Sequence, residues 1–275
     1  MLAIAFTIVK LPLKLWLMLL VAVLLAAVVY FGAHLPDAKP ERLTIGYSQE
    51  APYAFVSNGA QLEGVFVSAA RQIAQVLQVK QLDWLLIEFF KLIHSVQSQR
   101  IDVIGAGITI TAERAATLCF AEPLLQAPSA LLTLAGNDAA LALTDAAPIA
   151  VLAGSVEQQQ LLSKHKPLRI VATVREGAMA VLDSSAQAFA LTKPALLALM
   201  QDFPRQFAVV EDETLLPAKH LSAFAFAEHD TRLLFRWNSA QRLLRQQQAF
   251  VALSQKSGFS LPELPQDISR SCYAR

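Results

Sequence analysis

The chain is short of charge, cysteine and glycine. Only 16% of its 275 residues are charged and the formal net charge is +1, against about 25% charged residues in an average soluble domain. So balanced a chain lacks the basic surplus that neutralises phosphates, which excludes nucleic acid as a partner. Two cysteines exclude a disulfide-built scaffold and a four-cysteine zinc site. Ten glycines exclude collagen-like and low-complexity chains. The five histidines, His34, His94, His165, His220 and His229, show no HExxH or His-x-His spacing, so no metal site is expected. There is no G-x-S-x-G elbow and no P-loop. Gly105-Ala-Gly107 lacks the third glycine of a dinucleotide fingerprint, and no cofactor is expected.

What the chain has in excess is hydrophobicity, 55% of residues with a mean hydropathy of +0.42. Much of it sits at the front. Residues 15–33 form an uncharged run, LWLMLLVAVLLAAVVYFGA. As a helix it would reach roughly 28 Å, close to a hydrocarbon core of about 30 Å. Lys10 and Lys14 precede it and no basic residue follows until Lys39, so the positive-inside rule puts the N-terminus in the cytoplasm and the remainder outside. Trp16 and Tyr30 fall near the two ends, where amphipathic aromatics favour the interface. The competing reading is a cleaved signal peptide, whose apolar region would be about 7–15 residues with a small-x-small site after it. Either reading exports the rest, to the periplasm, with residues 15–33 as an inner-membrane anchor if uncleaved. Residues 1–40 hold Lys10, Lys14, Lys39 and Asp37, a net of +2. The other 235 residues therefore carry +1 minus +2, or −1.

In the exported part, short apolar runs alternate with amphipathic segments, the pattern of a mostly parallel sheet flanked by helices. Strands are expected at Arg42–Gly46, Leu82–Glu88 and Ile101–Gly105, with helices at Gly64–Val79 and Phe89–Gln99. A second unit follows, with strands at Pro148–Ala153, Leu168–Ala172, Gln187–Leu191 and Phe207–Val210. Its helices are expected at Ser155–Lys164, Glu176–Asp183 and Pro194–Gln201. Ala223–Ala227 is expected to be extended, and Thr231–Gln255 a single long helix. The picture is two α/β lobes: 41–128 with 223–275 as the first and 129–222 as the second, after a signal segment at 1–40. Cys119 and Cys272 either pair or remain two free thiols.

The stretch Gly105–Arg114 carries the clearest chemistry. Small residues let the backbone approach a ligand, and Thr111 is a good N-cap for a short helix. Arg114 would then sit in the first helical turn, where the helix dipole disfavours a cation. A guanidinium placed there suits a carboxylate, which it grips bidentately. The alternative is a surface arginine paired with Glu113 or Glu122.

Several pieces occur in one order: Leu43-Thr-Ile-Gly-Tyr47, Ala51-Pro-Tyr-Ala-Phe55, Leu62-Glu-Gly64, Leu92-Ile-His-Ser-Val-Gln97 with Ile101-Asp-Val-Ile104, Gly107-Ile-Thr-Ile-Thr-Ala-Glu-Arg114, Phe120-Ala-Glu-Pro123 and Ile149-Ala-Val-Leu-Ala-Gly-Ser155. In these the chain resembles the family 3 extracellular solute-binding proteins, the periplasmic polar amino-acid receptors of ABC importers, over roughly residues 41–258. The resemblance implies a type II two-lobed periplasmic-binding-protein fold that closes over a small carboxylate-bearing ligand, with an ABC permease or another membrane protein as partner. It implies that Arg114 clamps the carboxylate, helped by Gly107 and Thr109, that Ser155 donates from a second-lobe helix start, and that Phe89 stacks on the ligand side chain. The family's second lobe carries an aspartate for the ligand ammonium. Here that stretch reads Gln187-Ala-Phe-Ala-Leu-Thr192 and both acids are gone. Thr192 accepts a hydrogen bond but cannot offset a buried charge. Glu50 can supply negative charge from the first lobe, and Tyr47 a stacking or hydroxyl contact. Two further functions stay open. One is a membrane-tethered sensory or interaction module with a degenerate site. The other is an enzyme like the cyclohexadienyl dehydratases that the same resemblance includes, with Glu50 or Glu157 as general acid.

Overall fold

A computed structural model describes residues 20, 22–24, 40–136, 147–216, 219–263 and 272. The chain divides into two units, 1–39 and 40–275. In the first, only Leu20 and residues 22–24 are described, and they are helical. The rest of the apolar run at 15–33, and with it the expected anchor or signal helix, lies outside the described residues. Among the described residues no helix is long and apolar enough to cross a membrane.

Among its described residues the second unit holds two large sheets and a two-stranded one. Its first strands are β1 (Arg42–Tyr47), the short β2 (Phe55–Val56) and β3 (Leu62–Glu63), β4 (Gln81–Leu86) and β5 (Val103–Thr109). Next come β6 (Leu118–Phe120), β7 (Leu125–Ala127) and β8 (Ser129–Leu134). The last are β9 (Ile149–Leu152), β10 (Leu168–Val171), β11 (Ala188–Thr192), β12 (Phe207–Val210) and β13 (His220–Ala227). One sheet runs β4-β1-β5-β13-β6, with β7 also on β13. The other runs β10-β9-β11-β8-β12, and β2 pairs with β3. β1, β4 and β5 are parallel, as are β9, β10 and β11, as the strand–helix alternation requires. The chain crosses from the first sheet to the second at Pro128, between β7 and β8.

Strand β13 brings the chain back, and it starts at His220, inside the 129–222 range expected for the second lobe. His220, Leu221 and Ser222 pair with β7, a strand too short to be read from periodicity. Strand β5 also differs from its expected range. It continues past Gly105 to Thr109 with all seven of its residues buried, and its pairing with β13 shifts register where Gly107 takes a left-handed φ of 69°, so the glycines lie in a buried, bulged strand and not at its end.

The helices are α1 (Val65–Val76), α2 (Leu92–Gln97) after a 3₁₀ turn at Phe89–Lys91, α3 (Ala112–Ala115), α4 (Val156–Ser163), α5 (Val174–Leu182), α6 (Lys193–Leu199), α7 (Thr231–Gln246) and α8 (Val251–Lys256). Helix α1 buries Val65, Phe66, Ala69, Ala70 and Ile73, a stripe at helical spacing. The single helix expected over Thr231–Gln255 is two. Gln248 takes a left-handed φ of 58° between them, and the turn swings Phe250 into the core at 1% exposure. Trp237 on α7 anchors the first lobe, edge-on to Phe224 and Phe226 at 4.9 and 5.6 Å between centroids. Asn238 and Gln241 of α7 bind the backbone N–H and carbonyl of Glu122. Cys119 of β6 and Cys272 form a disulfide, Cα–Cα 5.7 Å.

Candidate functional site

Arg114 occupies the cleft between the sheets. Thr111 caps α3 by accepting the Arg114 N–H at 3.2 Å, which fixes where the side chain leaves the backbone. One guanidinium nitrogen donates to the Thr109 carbonyl and the other to the Gly154 carbonyl of the second lobe, both at 2.8 Å. The cation lies 5.9 Å from the Phe89 ring centroid, an attractive placement over a π face. Only 5% of Arg114 is exposed. Burial lowers its pKa, and the fields of Glu157 and Glu113 oppose that. Among the described residues no carboxylate is within salt-bridge distance. Of the two acids expected as surface partners, Glu113 takes a hydrogen bond from Gln159 at 2.6 Å, and Glu122 pairs with Arg242.

The opposite wall comes from the second lobe. Ser155 caps α4, accepting the Gln158 N–H at 3.1 Å, which leaves its hydroxyl proton free to donate. Glu157 follows in the first turn, 2% exposed, and accepts the Ser129 hydroxyl at 2.6 Å. Thr192 ends β11 and accepts the hydroxyl of Tyr53, from the first lobe, at 3.0 Å. Glu50 is buried on the first-lobe side; its backbone is tied to Tyr53 and Ala54, but its carboxyl group has no hydrogen-bond partner among the described residues. Burial, then the nearby Glu157, pushes its pKa up to about 8. Burial, then Glu50, likewise raises the Tyr53 phenol. At the base of the returning strand, burial lowers the pKa of His220 against the pull of Glu157.

Seven of the eight expected site residues, Glu50, Phe89, Gly107, Thr109, Arg114, Ser155 and Thr192, line one cavity of about 20 Å³, room for about one water. Tyr47 is the exception. It packs edge-on against Trp84, 6.1 Å between centroids, beside Ala54 and Val67 in a core cluster. On β1 its side chain faces the layer behind the sheet. Tyr53 takes a place in the site that no sequence argument gave it. The signal was Gly107: at its φ of 69°, an added Cβ would sit 2.1 Å from the Tyr53 ring. The glycine therefore admits the protein's own aromatic, where a ligand had been expected.

A second cavity of about 160 Å³ adjoins the first and shares Glu50, Phe89 and Leu152 with it. Its other walls include Leu86, Ile87 and Val174, and the buried Ser48 hydroxyl beside it has no partner among the described residues. Apolar cavities of about 150 Å³ hold a benzene-sized guest. Among the described residues no group of three or more His, Cys, Asp or Glu is placed to hold a metal ion.

Two α/β lobes, crossed by the chain between β7 and β8 and again before β13, with a buried cation and a capped helix start facing each other across the cleft, define the class of proteins that close on a small solute. The family model for bacterial extracellular solute-binding proteins, family 3, matches residues 43–258, and the chain belongs to that family. It is 30% identical over 162 residues to "Probable amino-acid-binding protein YxeM" of Bacillus subtilis (strain 168), a match spanning 57% of this chain and 61% of that relative, under two thirds of its length. It is 25% identical over 237 residues to "Probable amino-acid ABC transporter periplasmic-binding protein y4tE" of Sinorhizobium fredii (strain NBRC 101917 / NGR234), covering 80% of this chain and 78% of the relative. Among solved structures, an ancestral arginine-binding protein bound to arginine superposes with a TM-score of 0.73 at 22% identity, covering 80% of this chain and 99% of that one. The two-lobed periplasmic-binding-protein fold is thus shared.

Proposed function

We propose that the chain is an exported binding protein whose lobes close over a small carboxylate-bearing ligand, an amino acid or a close relative, for delivery to an ABC-type importer. One observation carries this reading. Arg114 is a buried cation with no carboxylate of its own among the described residues, set against the start of a helix from the other lobe. An isolated buried charge is costly, and a ligand carboxylate would supply the missing partner. It would take guanidinium donors from one lobe and the Ser155 hydroxyl with α4 N–H groups from the other, where a helix N-terminus favours an anion. Contacts made by both lobes at once are what make binding favour closure. The names of the relatives support an amino-acid ligand and an ABC partner. The apolar run at 15–33 fits export, with anchoring to the inner membrane if it is retained. The test is a thermal-shift screen of amino acids, dicarboxylates and aromatic acids on the full chain, repeated on Arg114→Ala.

A second reading, a tethered interaction module that binds no solute, is favoured by the 20 Å³ cavity, because the cleft is already closed by its own side chains. Ligand-independent co-purification of a membrane partner, with no hit in the screen, would select it. A dehydratase-like enzyme draws support from Glu50, a buried acid held neutral below about pH 8. Turnover of prephenate or arogenate by the purified chain would establish it.

A further inference from the structure

We infer that Glu157 is the group of this chain that pairs with a ligand's ammonium, so that the ligand is a zwitterionic amino acid and not an amine-free carboxylate. The inference rests on the reading that Arg114 takes the carboxylate.

The sequence leaves the ammonium without an acid on β11, where Thr192 stands. The Thr192 hydroxyl is moreover already engaged by Tyr53, and Gln187 turns its amide to the Ala147 carbonyl, away from the cleft. Glu157 fills the vacancy from a different element. It is 98% buried by its exposure of 2%, lines the same cavity as Arg114 and Thr192, and belongs to the first turn of α4, two residues after Ser155. The Ser129 hydroxyl holds one carboxyl oxygen at 2.6 Å. The second oxygen has no hydrogen-bond partner among the described residues. An acid that lines the cavity and is held through one oxygen alone is set to receive a donor from a ligand.

The charge balance points the same way. Glu157 is the carboxyl whose field reaches Arg114, Glu50, Tyr53 and His220. With Glu50 held neutral below about pH 8, the cleft sets Glu157 against the one guanidinium, Arg114, and a ligand carboxylate that takes up Arg114 leaves Glu157 without an opposing charge. An amino acid brings one carboxylate and one ammonium: the first meets Arg114, and the second meets Glu157. An amine-free acid would leave Glu157 buried opposite nothing, with the desolvation cost that entails. Glu50 is the weaker candidate for the ammonium, because it lies at the junction with the 160 Å³ cavity, where a ligand side chain would run.

The experiment is isothermal titration of the full chain with the twenty L-amino acids and, for the tightest binder, the 2-hydroxy acid of the same side chain. It is repeated on Glu157→Gln and Ser129→Ala, with circular dichroism as the folding control. The wild type is expected to prefer the amino acid by about 100-fold or more. Glu157→Gln should lose that preference while still binding the hydroxy acid, and Ser129→Ala should reduce it about tenfold by releasing the carboxyl. A purely structural Glu157 would weaken both ligands alike and leave their ratio intact, which overturns the inference. Equal binding of both ligands by the wild type overturns it too, but leaves the carboxylate reading standing. If neither ligand binds the wild type, the carboxylate reading falls and takes the inference with it.

Discussion

Tyr53 donates its hydroxyl to Thr192 across the cleft at 3.0 Å, joining the loop after β1 to the end of β11 and so one lobe to the other. Arg114 makes a second such link to the Gly154 carbonyl, and Gln159 a third, at the rim, to Glu113. The closed cleft is therefore held by the protein's own hydrogen bonds. A solute that enters must replace or extend them, and its differential contact with the closed form sets how far the equilibrium moves.

Tyr53→Phe removes the first link and leaves the Thr192 hydroxyl buried without its donor. The ligand-free protein should lose about 1 kcal/mol, read by chemical denaturation. Gly107→Ala should cost more, because the added methyl would meet the Tyr53 ring at a backbone φ that alanine resists.

Glu50 predicts a pH dependence. Its pKa is about 8 in the folded chain and near 4.3 in an unfolded one. The stability that goes with its neutral form is present in full below the unfolded value, and is lost as pH rises through the folded value near 8. Between pH 4.5 and 8.5 the wild type should thus lose stability relative to Glu50→Gln, by on the order of 3 kcal/mol, limited by the cost of opening the cleft to water. Urea denaturation of both proteins across that range is the measurement. A parallel pair of curves would remove Glu50 from the buried network.

The cavity of about 160 Å³ predicts size selectivity. Val174→Phe, which narrows it, should weaken ligands with phenyl-sized side chains by on the order of tenfold, while leaving alanine-sized ones within about twofold. Competition titrations on the variant give the ratio directly.

The disulfide between Cys119 and Cys272 spans 153 residues of sequence. Replacing both cysteines with serine should lower stability by about 2–5 kcal/mol, measured by thermal denaturation, with the wild type falling to the same value under reductant.

The main elements were legible in the sequence because their apolar periodicity is set by burial on both faces of a parallel sheet. Strands β9 and β12 and helix α1 lie where that periodicity puts them, and the capped start at Thr111 was readable from side-chain chemistry. What could not be read depends on tertiary partners. Strands β6 and β7 are three residues each, too short for a period, and exist only because β13 pairs with them. The break after Gln246 follows from where Phe250 must go. Tyr47 and Tyr53 are six residues apart and equally plausible in a linear view, yet only the loop after β1 carries its tyrosine into the cleft. Glu157 stood out in the linear view only as a candidate general acid beside Glu50. Its burial against Ser129 is a contact between β8 and α4 that no local pattern announces.

The central claim is that Arg114 receives a ligand carboxylate in a closing cleft. Its most direct test is the thermal shift of the full chain with an L-amino-acid panel, before and after Arg114→Ala. At ligand concentrations about 100 times Kd, the wild type should gain about 2.7 kcal/mol, and the variant should gain none. An amino acid that stabilises Arg114→Ala as strongly as the wild type would contradict the assignment.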